Sequence, residues 1–198
     1  AVDGGTVALI AAKIINEGNL KANGGNVLLG AGSNVTLDIG GPVKLQIEND
    51  QLETLIQNGG VIKADGGVVW LTSQAAANLA SSVINNTGLI EANQLNTTQN
   101  GEIILFARGG NMNLGGTLSA EGGFVETSGK FFEVQPGAEV IAADWLIDPV
   151  NIEIDSTMAG TIQTALAAGN VIVTTDGPCT GFTCSGTGSD GDITVSSS

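Results

Sequence analysis

The chain's 198 residues include 30 glycines and no His or Tyr; 42% are hydrophobic, 4% aromatic and 13% charged, and twenty acids stand against six bases. A net charge of −14 repels phosphate backbones and leaves no basic patch, so nucleic acid and anionic membrane are excluded as partners. Without His there is no Ser-His-Asp or Cys-His arrangement, no general base of the commonest kind and no preferred ligand for zinc, copper or haem, so no catalytic residue, metal or cofactor is expected.

In chain order, Ala1 leads almost directly into a Gly-Gly turn, with no basic-then-apolar leader ahead of it. Asn16, Gly18, Leu20 and Ala22 then form a motif, Asn-x-Gly-x-(Leu/Ile)-x-Ala. It returns as Asn58, Gly60, Ile62, Ala64 and as Asn86, Gly88, Ile90, Ala92, with weaker copies at Gly116, Leu118, Ala120 and at Val140, Ala142. Between the motifs, apolar residues alternate with polar ones, as in Val27 and Leu29, in Val35, Leu37 and Ile39, and in Val43, Leu45 and Ile47, the period of strands with one buried face. Asn and Gly tolerate positive φ, so Asn-x-Gly suits a corner that recurs at one place in each repeat.

The Ala anchors of the motif are spaced by 42, 28, 28 and 22 residues. Those intervals fit a unit of about 21 to 22 residues, doubled once and twice lengthened by insertions near 73–80 and 93–100. A unit this short cannot bury its own apolar face and must stack on its neighbours. The fold predicted is all-β: a right-handed parallel β-helix of roughly nine coils and roughly 40 Å, forming a single unit over 1–198.

Two stretches depart from the strand period. Ser73 to Ala80 predicts a short helix with Ser73 as N-cap. Ser156 to Gly169 predicts a longer one, capped by Ser156 or Thr157, with Met158, Ile162, Ala165 and Leu166 facing inward, opening a helix-bearing C-terminal portion over 156–198. Just before it, Val150, Ile152 and Ile154 should point in and Glu153 and Asp155 out, the two acids nearly 7 Å apart. That separation suits an inverting acid–base pair, yet any two outward acids one residue apart satisfy it, and the only Arg is Arg108, expected in a Gly-flanked turn. A solvated acidic face is the simpler reading. Asp190 and Asp192 resemble one imperfect calcium-binding nonapeptide, a weak signal without tandem copies. Trp70 and Trp145 read as packing residues, Trp145 at an inward position. Ile193 to Val195 read as a strand that stops in midstream, and no stretch approaches the roughly 18 apolar residues of a membrane span, so a soluble piece of a longer filament is expected.

Several segments resemble filamentous-haemagglutinin-like exoproteins of two-partner secretion: LTSQAAANLASSVINNTGLIEA from Leu71 to Ala92, FVETSG from Phe124 to Gly129, DWLIDPVNIEI from Asp144 to Ile154, GNVIVTT ending at Thr175 and GDITV from Gly191 to Val195. The last stretches are most similar to the high-molecular-weight-adhesin and haemophore branch. The resemblance spans essentially the whole chain and implies a Gram-negative protein exported unfolded through an outer-membrane transporter barrel and folded outside the cell. Such proteins act as adhesins in host attachment and virulence, as biofilm scaffolds, as toxin carriers or as captors of host haem carriers. The family's Asn-Pro-Asn-Leu and Asn-Pro-Asn-Gly-Ile signatures are missing, so the segment is expected to lie downstream of the secretion domain that engages the barrel.

On that footing Cys179 and Cys184, enclosing Thr-Gly-Phe-Thr, are expected to pair as an extracellular disulfide contributing roughly 2 kcal/mol. The function implied is a secreted, cell-surface stalk and binding segment rather than an enzyme. Its partners would be a host-cell receptor, a glycan or a matrix polysaccharide. Contact residues are expected at Gln94, Asn96 and Thr97, on the helix after Ser156 and at Phe182; Asn16, Gly18, Asn58, Gly60, Asn86 and Gly88 serve as structural turns. The alternatives are a polysaccharide-active lyase or hydrolase and a haem-carrier capture protein.

Overall fold

A computed structural model describes residues 4–32, 34–38, 44–48, 53–74, 81–175 and 191–197. The strands in chain order begin with β1 (Thr6–Ala11), β2 (Lys13–Asn16), β3 (Asn19–Lys21), β4 (Asn26–Ala31), β5 (Asn34–Asp38) and β6 (Lys44–Glu48). They continue with β7 (Glu53–Asn58), β8 (Val61–Lys63), β9 (Val68–Gln74), β10 (Ser81–Asn86), β11 (Leu89–Glu91) and β12 (Glu102–Leu114). After β13 (Thr117–Val134), β14 (Glu139–Pro149) and β15 (Ile152–Ile154) comes helix α1 (Ser156–Ala165), followed by β16 (Asn170–Val173) and β17 (Ile193–Val195). Thirteen strands join in one sheet, paired in parallel throughout.

The chain visits three parallel ladders in a fixed order. The first runs β1, β4, β9, β12, β13, β14, β16 and stacks like on like inside: Val27, Val69, Ile103, Val125, Trp145, Val171 in one row and Leu29, Leu71, Leu105, Thr127, Ile147, Val173 in the next. The second runs β2, β7, β10 and the ends of β12 and β13, with Ile14, Ile56, Ile84, Met112 and Phe132 in register. The third runs β3, β8, β11 and the starts of β13 and β14, with Leu20, Ile62, Ile90, Leu118 and Val140 in register. These rows form one buried aliphatic core. At its C-terminal end, Trp145 is 1% exposed, donates Nε1–H to Thr127 Oγ1 at 3.0 Å and meets Phe132 edge-on at 6.4 Å.

The repeated Asn and Gly have a different physical basis from the one expected. Asn16, Asn58 and Asn86 are buried and chained: Asn16 Nδ2 donates to Asn58 Oδ1 at 2.7 Å and Asn58 Nδ2 to Asn86 Oδ1 at 2.8 Å. Each amide satisfies the next, which removes the cost of burying it. Gly60 and Gly88 are not among the positive-φ glycines. What excludes a side chain is proximity: a Cβ on Gly60 would lie 2.2 Å from the Gly18 carbonyl oxygen, and one on Gly88 would lie 2.1 Å from that of Gly60. Positive φ falls instead at the other corner, at Gly24, Gly66 and Gly122.

Several expectations are corrected. The 42-residue interval is one step of the ladder, Val27 pairing directly with Val69, because β5 and β6 form an antiparallel pair that leaves the stack. Alternation marks a strand but carries no direction, so the sequence could not distinguish this hairpin from two further parallel strands. Among the described residues the longest ladder has seven strands and spans about 29 Å, against the roughly nine coils expected. Ser73 is buried in β9, sharing a 2.9 Å hydrogen bond with Thr54; the helix expected after it falls on residues 75–80, which lie outside the described residues. Asp155 caps α1, its Oδ1 accepting from Met158 N at 2.8 Å, in place of Ser156 or Thr157. Thr161 is buried on α1 while Leu166 is 56% exposed, and Val150 is 40% exposed rather than inward. Arg108 lies in β12, not in a turn.

Candidate functional site

The outer face of the second ladder carries a shallow concave surface. Its outward row runs Ile15, Gln57, Asn85, Asn113, Glu133, one residue before or after the buried positions of each strand. Three consecutive amides in register produce a polar stripe, and Asn113 Nδ2 donates to Asn85 Oδ1 at 2.6 Å. With Thr87 and Gln135 this stripe walls a shallow groove of about 420 Å³.

Glu133 and Gln135 also border a larger cleft of about 680 Å³, set between residues 131–135 and 151–155. Its floor is apolar: Phe132 is 8%, Ile152 5% and Met158 3% exposed. Carboxylates of Glu133, Glu153, Asp155 and Asp192 stand around it, and no Lys or Arg is among its lining residues. Two of the acids have fixed partners. Asp155 is held by its capping bond, and Glu153 Oε1 accepts from Ser196 Oγ at 2.7 Å. Asn151 Oδ1 accepts from the backbone N–H of both Gly191 and Asp192 at 3.1 Å, which ties β17 to the approach of β15.

Among the described residues that line the cleft and the groove there is no lysine, arginine or cysteine. Arg108 is elsewhere, its guanidinium 5.9 Å from the Phe106 ring centroid and bonded to Gln74 Oε1 at 3.4 Å, with its pKa lowered by burial. Among the described residues no three acids or thiols are grouped to hold a metal ion, and no helix is long and apolar enough to cross a membrane. No protein-family model, curated protein or solved structure matches the chain.

Of the contact residues expected from sequence, Gln94, Asn96 and Thr97 are exposed on a tight loop at the edge of the third ladder. The loop is organised by its own side chains: Asn96 Oδ1 accepts from Thr98 N at 3.0 Å and from Thr98 Oγ1 at 2.8 Å, and Gln94 Nε2 donates to Asn100 Oδ1 at 2.9 Å. Asn96 Nδ2 also donates to Gln99 Oε1 at 2.5 Å. Cys179, Phe182, Cys184 and Asp190 lie outside the described residues. The sequence reading missed the amide stripe and the cleft. The stripe had a signal, Gln57 and Asn85 each preceding a motif Asn by one residue; the cleft had none, since it depends on two strands failing to meet.

On the third ladder Lys63 bridges two strands through Asp65 at 2.9 Å and through Glu91. The hydrogen bonds to Glu91 and then to Asp65 hold its pKa above the ordinary lysine value.

Proposed function

We propose that this chain is a right-handed parallel β-helix that serves as a stalk and contact segment of a secreted bacterial adhesin exported by two-partner secretion, acting at the outer surface of the cell. The observation that carries the reading is the repeated passage through three ladders with identical residue types in register, Ile on Ile and Asn on Asn. Units that bury their faces only against neighbours build stiff, extendable rods. Rods of this kind suit a spacer whose outer rows can be varied without disturbing the core. The amide stripe and the 94–100 loop offer hydrogen-bonding surface for a glycan or host-cell receptor. The resemblance of FVETSG and DWLIDP to haemagglutinin-type exoproteins supplies the export route.

The test is a binding and turnover screen of the purified segment, oxidised and reduced, on host-cell surfaces and on neutral and acidic polysaccharides. Saturable binding without product release is expected. Release of oligosaccharide would overturn it in favour of a polysaccharide-active enzyme, the second reading, which rests on Glu153 and Asp155 both bordering the 680 Å³ cleft. Substituting both by Ala would then abolish that release.

A further inference from the structure

We infer that the cleft between the end of β13 and β15 is a strand-addition site for an extended, basic peptide segment. The second ladder breaks there. Residues Phe131–Val134 pair with β12 on one side, and β15 pairs with β17, yet among the described residues no strand pairing joins β13 to β15. The two strands are pinned at one end, where Gly129 pairs with Pro149 and Val150 N donates to Gly129 O at 3.1 Å. They diverge toward the other end, where the chain enters α1.

The divergence has a physical cause. Helix α1 packs on β13, β14, β15 and β16 and takes the place that a further strand of the third ladder would have. A helix is about 10 Å across with its side chains, whereas paired strands are about 4.8 Å apart. The helix therefore keeps β15 from pairing with β13 along Phe131–Val134, and the cleft of about 680 Å³ lies between them. Among the described residues the cleft is bordered by two strand edges without a ladder partner on the facing side, four residues of it on β13. Unpaired edges of this kind recruit an extended chain through main-chain hydrogen bonds, and alternate side-chain sites supply the specificity.

Those alternate sites select the occupant. Phe132, Ile152 and Met158 form an apolar floor for every second side chain, while the four carboxylates of the rim attract positive charge at the others. A saccharide is the weaker fit because Lys130 stands over one face of the exposed aromatic ring at the rim, Phe131, its Nζ 5.3 Å from the ring centroid. The inference depends on the broken ladder and not on the proposed stalk function.

The probe is a capped, fluorescent hexapeptide of alternating Lys and Val, titrated by anisotropy against the full chain. Saturable binding is expected, with amide-exchange protection at Phe131–Val134 and Ile152–Ile154. A version N-methylated at alternate residues should bind about tenfold more weakly, because it keeps charge and apolarity but loses ladder bonds. The Glu133→Gln, Glu153→Gln double variant, altered only at exposed positions, should weaken binding severalfold at low salt. Equal binding of the N-methylated peptide, protection confined to β1 or β16, or no saturable binding would overturn the proposal. Displacement of the peptide by an equal concentration of glucosamine hexamer would overturn it in favour of a sugar site.

Discussion

Two regions of the same sheet behave differently. Between β7 and β10 and between β8 and β11 the inward positions repeat, so that Ile56 and Ile84 lie in register, Asn58 meets Asn86 and Ile62 meets Ile90. From β14 onward the rows change: Trp145 stands where Val125 stood, α1 takes the place of a strand and β15 no longer pairs with β13. The regular region shows that stacking favours sameness where backbones approach closely and amides are shared, while the aliphatic rows accept a change of type such as Met112 on Ile84. The irregular region shows that one thick element is enough to open a surface that the repeat by itself would keep closed.

The sharpest way to break the regular region is at its backbone contacts. Gly88→Ala places a Cβ 2.1 Å from the Gly60 carbonyl oxygen, against backbone that cannot yield, and should lower stability by about 4 kcal/mol or more, read as a fall in the urea midpoint. Next in size is Asn58→Leu, which takes from buried Asn16 its 2.7 Å acceptor, leaving only the long 3.5 Å bond to Val61 O, and takes from buried Asn86 Oδ1 its donor, at a cost of about 3 kcal/mol. Replacing Asn16, Asn58 and Asn86 together by Leu should cost less than the single change, since no side-chain amide is left orphaned, the Gly18 N–H loses only its 3.3 Å bond to Asn16 Oδ1, and Leu114 already occupies the same row in the following strand. Equal loss in the single and triple variants would show that the amide chain is not the reason for the row.

In the irregular region the expected effects are smaller. Asp155→Ala removes the cap of α1 and should cost about 1 kcal/mol, with Asp155→Asn restoring most of it in thermal unfolding. Gly160→Ala inverts the response of Gly88: its Cβ would meet nothing within 4 Å, so helix propensity alone acts and stability should rise by about 0.5–1 kcal/mol. Least of all, the Lys63 bridge should be visible only in alkali. Its raised pKa means that the stabilisation is complete below the ordinary lysine value of 10.5 and is lost as pH rises through the higher folded value. Lys63→Met should flatten the stability–pH curve in that window.

Much of the ladder register was legible because repetition is a property of the sequence itself. The anchors Ala22, Ala64, Ala92 and Ala120 fall beside Leu20, Ile62, Ile90 and Leu118, which pair in that order in the third ladder. The N-cap of α1 lay one residue ahead of its expected place, a shift that needs only a different carboxylate or hydroxyl to reach the first turn. The reading of β5 and β6 went astray for want of direction, and the exposure of Leu166 for want of knowing which arc of α1 faces the sheet. In the candidate site, the polar loop at Gln94 to Asn100 stood out as an insertion. The cleft did not, because its lining comes from residues 131–135, 151–155, Met158, Asp192 and Thr194, which share no motif.

By itself, then, the sequence determined the strand period, the recurring Ile, Asn and Gly positions and the absence of histidine chemistry, since each is a matter of residue type and spacing. Only the tertiary structure decided why Gly60 and Gly88 must be glycine, that Asn16, Asn58 and Asn86 satisfy one another, and where the second ladder opens. The physical reason is that each of these depends on the distance between backbones tens of residues apart in the chain. Strand thickness and helix thickness set that distance, and no local pattern encodes it.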